Sequence, residues 1–442
     1  MLKLHSLSCV VLVLLLSKTG LLCAAANTSE ASPVSPIPAE ATEQAPINIS
    51  EDTTYAPSDE ELKAMGYYQE LIATLEREGG VYDSQLSEVM LGLGNLYQKF
   101  GRHGDAAALF DRAFHITRVN TGLYSLDQLA ILEELIESNR SLKNWQALDQ
   151  NYHNMLWISK RHHGDDSTEL LPLLDRVGRW HLTAWDLDQG DNPFAHLVEA
   201  EQLYNWAVEI IEADNGKEDL RLINALYGIA LTNYQIAATA ANTDDFDELR
   251  TGFRNARQTR RALEIQRARE DIIIRSYVKG RDALRQVVEI QEKNPILPIE
   301  TQAMAMTHLG DWYLLFDKKN SSAQTYQDAY QLMQNDGIEK EKIDQFFGKP
   351  RTLPAISLPI EKKEEILPEN PPYVLASFDV SPSGKAHNIQ IIESSEGDNV
   401  RYRRKAKRSI AATRFRPRYE NGQPVLTTGL NLRYVFTDEA KN

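Results

Sequence analysis

Residues 92–114 read GLGNLYQKFGRHGDAAALFDRAF, and this stretch decides the fold. Leu93, Gly94 and Tyr97 precede Gly101, and Ala106, Phe110 and Ala113 follow it, at steps of one, three and four residues. That spacing predicts two amphipathic helices joined by a tight glycine turn. Gly94 and Ala106 let the two helices approach closely, and Tyr97 and Phe110 fill the space between them. Residues 308–330, HLGDWYLLFDKKNSSAQTYQDAY, repeat the layout with Leu309, Gly310, Tyr313, Tyr326 and Ala329. Ala200, Tyr204 and Ala207 read as the second helix of a further unit, as do Ala283, Val287, Ile290 and Pro295.

These positions resemble the tetratricopeptide repeat. A second period supports the resemblance. Gly122, Gly164 and Gly216 open the similar stretches GLYSLDQL, GDDSTELL and GKEDLRLI, and the loop DLDQGDNP accounts for the longer second interval. The unit after the first places Leu135, Tyr152 and Met155 in the packing slots but carries Ile136 where the first has Gly94. Residues 240–275 fit no register. The helical pattern as a whole covers residues 58–345.

Further out, the chain changes character. Residues 1–26 carry Lys3, the short apolar run CVVLVLLL (9–16) and Ala24-Ala25-Ala26, the pattern of a cleavable export signal. An uncleaved signal anchoring the chain in the inner membrane is the alternative. A lipid anchor at Cys23 is disfavoured by the bulky Leu21 and Leu22. Both cysteines lie in this segment, so the exported chain would have neither disulfide nor thiol chemistry; a periplasmic location follows as the expectation. Residues 27–57, rich in Pro, Ala, Ser, Thr and Glu, read as a disordered tether. Residues 346–372 hold six prolines around EKKEE and read as an extended linker.

From 373 to 437 the apolar period becomes two. YVLASFDV (373–380) turns through SPSGK into HNIQIIES (387–394). A helix from Asp398 to Ala412 turns Tyr402, Ala406, Ser409, Ile410 and Thr413 inward. An Asn421-Gly422 turn then leads to a last strand, LTTGLNLRYVF (426–436). The predicted fold class is therefore mainly α, a tetratricopeptide-type helical-hairpin array followed by a small α+β (ββαβ) domain.

The C-terminal segment resembles the C-terminal domain of the TonB family. The features that match are Asp379-Val380 with the turn at Gly384, Ser394-Ser395, Phe415-Arg416-Pro417, Asn421 to Val425, and the aromatic end Tyr434-Val435-Phe436. The resemblance implies pairing of the last strand with an extended peptide of an envelope protein, with an outer-membrane transporter as the family's partner. Thr427, Thr428, Leu430, Leu432, Tyr434 and Phe436 mark that edge. Two departures bear on energy transduction. Pro371-Pro372-Tyr373 stands directly against the first strand where the family has Tyr-Pro well before it, and an export signal replaces the family's membrane helix.

Charge adds a third departure. The chain has a net charge of −15, which disfavours nucleic acid as a partner. Residues 373–437 are the reverse, with eleven lysines and arginines against five acids, a net of +6. Arg401, Arg404, Lys405 and Arg408 share one outward helix face, which suits an anionic envelope surface or the acidic array of the same chain; a merely solvated face is the alternative. On the concave side of the first repeat, Asn95 and Lys99 are the candidate peptide contacts.

No phosphate loop, zinc-ligand pair or nucleophile elbow stands out. His162-His163 beside Asp165-Asp166 reads as an inter-repeat turn rather than a metal site. No catalytic residue, metal or cofactor is assigned. The expectation is a non-catalytic periplasmic scaffold or adaptor that pairs by β-augmentation. The alternative is a structural module whose C-terminal domain caps the array or forms homodimers.

Overall fold

The structure is a computed structural model, and it describes residues 58–190, 192–242, 256–355, 371–395, 397 and 400–436. The export signal, the tether and most of the Pro-rich stretch lie outside the described residues. The chain divides into two compact units, one ending at Lys217 and one beginning at Glu218.

The first unit is all helical: α1 (Asp59–Glu78), α2 (Gln85–Lys99), α3 (His103–Thr121), α4 (Asp127–Ser141), α5 (Trp145–His163), α6 (Leu171–Asp186) and α7 (Pro193–Asn215). Helix α1 starts on a capping box, in which Ser58 and Glu61 satisfy each other's backbone donors. Pairs α2/α3, α4/α5 and α6/α7 are the hairpins. A Cβ on Gly94 would stand 2.3 Å from the Phe110 ring, and one on Gly178 would stand 2.8 Å from Tyr204. Gly178 and Tyr204 therefore occupy the slots that Gly94 and Phe110 occupy in the first hairpin. Leu135, Tyr152 and Met155 are buried as the repeat register requires. Gly122, Gly164 and Gly216 each cap the second helix of a hairpin at positive φ, which gives their spacing its physical cause.

The second unit holds α8 (Leu222–Asn242), α9 (Ala256–Glu292), α10 (Ile299–Leu315), α11 (Lys319–Asn335) and α12 (Lys340–Phe347), followed by the strands. Of the region without a register, the described residues form the end of α8 and the first part of the 37-residue helix α9. Among the described residues α9 buries a packing face from Ser276 onward, through Ser276, Ala283, Leu284, Val287 and Ile290. The α10/α11 hairpin closes on Gly310, where a Cβ would meet the Tyr326 ring at 2.6 Å.

The C-terminal sheet has three antiparallel strands in the order β3-β2-β7: β2 (Tyr373–Val380), β3 (Ala386–Ser394) and β7 (Thr427–Val435). Helix α13 (Val400–Ala412) packs on it through Tyr402, Ala406 and Ile410. Val374, Ala376, Phe378 and Val380 are all buried, the face expected from alternation. Between α13 and β7 run the short strands β4 (Phe415–Arg416), β5 (Arg418–Glu420) and β6 (Gln423–Val425). The expected linker begins differently. Helix α12 runs to Phe347, and β1 (Arg351–Thr352) pairs antiparallel with β4.

Candidate functional site

The site is built on β7. Phe436 N–H donates to the Pro372 carbonyl at 2.8 Å, and Tyr373 stands opposite Val435. Antiparallel pairs alternate between bonded and non-bonded. The bonded pairs are then those of Tyr434, Leu432 and Leu430. The main-chain groups of Asn431, Arg433 and Val435 point away from β2, and among the described residues no strand pairs with that outer edge.

The side chains divide in the same way. Leu432, Tyr434 and Phe436 are buried in the domain's own core, against Phe378, Phe415, Tyr402 and Ala406. Thr427 and Leu430 are half-buried, and Thr428 is exposed. A partner strand would therefore meet main chain together with the exposed Asn431 and Arg433, two residues that the sequence reading omitted. The Arg433 guanidinium lies 3.9 Å from the centre of the Tyr373 ring. The alternation of apolar residues in 430–436 was the available signal, since it leaves 431 and 433 outward.

Asp379 ties the three strands together. Its carboxylate accepts from Asn388 Nδ2 at 2.7 Å and from Gly429 N–H at 3.0 Å. These hydrogen bonds, that from Asn388 first, hold its pKa below the usual carboxylate range. The register of β7 shifts beside it, where Gly429 adopts positive φ, the signature of a bulge.

The domain is seated on the α10/α11 hairpin through a buried ion pair. Arg416 Nε lies 2.9 Å from Asp311 Oδ1, and Nη2 lies 2.5 Å from Oδ2. Tyr326 Oη donates to the same Oδ1 at 2.6 Å. Arg416 is 2% and Asp311 1% exposed. Burial pushes the Arg416 pKa down, but the Asp311 charge and hydrogen bonds outweigh it, so the group is held above its ordinary value. Tyr419 joins the hairpin's own core, meeting the rings of Tyr326 and Phe347 edge-to-face. A Cβ at Gly384, which has positive φ, would meet the Phe415 carbonyl at 2.2 Å and Leu314 at 2.9 Å.

The basic face stands where helical spacing puts it. Arg401, Arg404, Lys405 and Arg408 are exposed on α13, with the Lys405 ammonium 5.8 Å from the Phe436 ring centre. In the first unit Asn95 is exposed, and Lys99 pairs with Glu61 at 2.5 Å. The hydrogen bond from Lys99, with two from Ser58, brings Glu61 down to about 2.

His162 and His163 are exposed at the end of α5. A different imidazole cluster was not anticipated: His153, His181 and His196 with Asp149 and Glu199. Burial holds His181 down at about 3. Nothing local in the sequence marks this group, because its members come from three helices.

Residues 372–437 match the family model for the Gram-negative bacterial TonB protein C-terminal. This TonB-like domain spans about a seventh of the chain. No curated protein matches the chain. Among solved structures, BtubC (BKLC) from P. vanneervenii is 14% identical with a TM-score of 0.34, covering 69% of this chain and 96% of its own. A Podosopora anserina protein described by "kinesin light chain nearly identical TPR-like repeats" is 14% identical with a TM-score of 0.37, covering 58% and 98%. Among the described residues no helix is long and apolar enough to cross a membrane.

Proposed function

We propose that the chain is a non-catalytic protein-interaction scaffold of the bacterial envelope, in which the TonB-like domain takes up an extended segment of another envelope protein along the outer edge of β7. The open edge carries this reading: Asn431, Arg433 and Val435 offer main-chain donors and acceptors while the apolar side chains of β7 are spent on the domain's core. The similarity to TonB points to an outer-membrane transporter as the partner and to the periplasm as the location, reached through residues 1–26. Helices of the array would hold a second protein, with Asn95 and Lys99 among the contacts. The face of Arg401, Arg404, Lys405 and Arg408 suits an anionic envelope surface.

A photo-crosslinking residue in place of Asn431 tests the reading in cells. The expected product is a covalent adduct with an envelope protein that disappears when Arg433 is replaced by proline. Adducts made only of two copies of this chain would replace the proposal with edge-to-edge homodimers. The buried Arg416–Asp311 pair supports a second role for the same domain, capping the terminal hairpin, which leaves the β7 edge unused and so is compatible with the first.

A further inference from the structure

Helices α5, α6 and α7 each send one side chain to the same point. His153 Nε2 lies 3.6 Å and His181 Nε2 3.2 Å from a single oxygen, Glu199 Oε2. The three ligand atoms are within 4.8 Å of one another. We propose that His153, His181 and Glu199 form a binding site for one divalent transition-metal ion of the zinc class.

The separations suit an ion. Ligand bonds of about 2.0–2.2 Å in a tetrahedral site set neighbouring ligand atoms roughly 3.3 Å apart. The supporting contacts set the tautomers independently. His153 Nδ1 lies 2.9 Å from the Asp149 carbonyl, which can only accept. Nδ1 therefore carries the proton, and Nε2 turns its lone pair toward Glu199. A ligand histidine whose other nitrogen donates to a carbonyl is the usual support of a metal centre. His181 Nδ1 meets His196 Nδ1 at 2.8 Å, so His196 Nδ1 can accept a hydrogen bond from the Nδ1–H that His181 carries when its Nε2 binds metal. Asp149 stays in a supporting role because its Oδ1 already accepts from Trp180 Nε1 at 2.7 Å.

Burial completes the arrangement. His181 is 1% exposed and fixed by its neighbours, whereas the side chains of His153 and Glu199 are 47% and 44% exposed. An ion can enter from solvent and keep a water in its fourth position. Two imidazoles and one carboxylate select zinc, nickel or copper over magnesium and calcium, which prefer oxygen ligands throughout.

The test uses the full chain, stripped by chelator and titrated with zinc chloride in a calorimeter, with metal content measured after gel filtration. One zinc ion per chain is expected, with no uptake of magnesium. His153→Ala and Glu199→Ala should each weaken zinc binding by at least about ten-fold, while His162→Ala with His163→Ala should leave it unchanged. Glu199→Gln keeps a hydrogen-bond acceptor for His181 but removes the anionic ligand. It should lose affinity while keeping its melting temperature in the absence of zinc. Failure to retain zinc, retention at full affinity in His153→Ala and Glu199→Ala, or loss only in the His162, His163 variant would overturn the proposal.

Discussion

At the scale of single residues, the Arg416–Asp311 pair is the most consequential contact of the second unit. Removing one member of a buried ion pair strands the other's charge, at a cost of about 3–5 kcal/mol. Arg416→Ala should therefore lower the unfolding free energy of the second unit by that much, read as a lower denaturant midpoint, and Asp311→Ala should do about the same. Replacing both together, Arg416→Met with Asp311→Leu, should recover most of the loss, because an apolar pair leaves no charge stranded. A double variant as unstable as the singles would show that the seam depends on Tyr326 or Tyr419 instead. The packing slots were legible in the sequence: Gly94, Tyr97 and Phe110 differ from their neighbours in size, and size is what a helix crossing selects. The ion pair was not legible, since its partners are 105 residues apart and Arg416 is one of eleven local cations. A faint signal did exist in Asp311, a lone acid within the apolar run from Leu309 to Phe316, where burial without a partner would be costly.

At the scale of elements, the two sides of β7 should respond differently to proline. Asn431→Pro removes a donor from the outer edge and leaves pairing with β2 intact, so the fold should hold while partner capture is lost. Leu432→Pro removes an N–H directed at β2 and should destabilise the domain by about 1–3 kcal/mol, read as a lower melting temperature. Equal effects of the two variants would contradict the assigned alternation. The strands β2, β3 and β7 could be read from their period of two. Strands β1, β4, β5 and β6 could not, because two or three residues carry no period, and β1 exists only by virtue of its distant partners, Arg416 for Arg351 and Phe415 for Thr352. Helix α9 hid for the opposite reason. Its first half is too polar to show a packing face, so no register emerged until Ser276.

At the scale of the whole molecule, each unit contains a histidine kept neutral by burial. In the second unit His308, whose Nδ1 lies 3.0 Å from Tyr227 Oη, is held down at about 4, chiefly by desolvation. An unfolded chain protonates its histidines near pH 6.5. Between pH 6.5 and about 4 the unfolded state thus binds the extra proton, and stability falls as pH falls, by up to roughly 1.4 kcal/mol per pH unit. Above pH 6.5 this term is fully favourable. His308→Gln should flatten the dependence of the urea midpoint over that window, and an unchanged slope would assign the acid sensitivity elsewhere. The Pro-rich stretch matters mechanically. Leu353 N–H bonds the Arg414 carbonyl on one side of it, and Tyr373 begins β2 on the other. Both flanks of that stretch are thus fastened within the second unit. A partner that tugged on β7 would load the Arg416 anchorage, so the strength of that anchorage bears on the force at which the domain comes away from its mount.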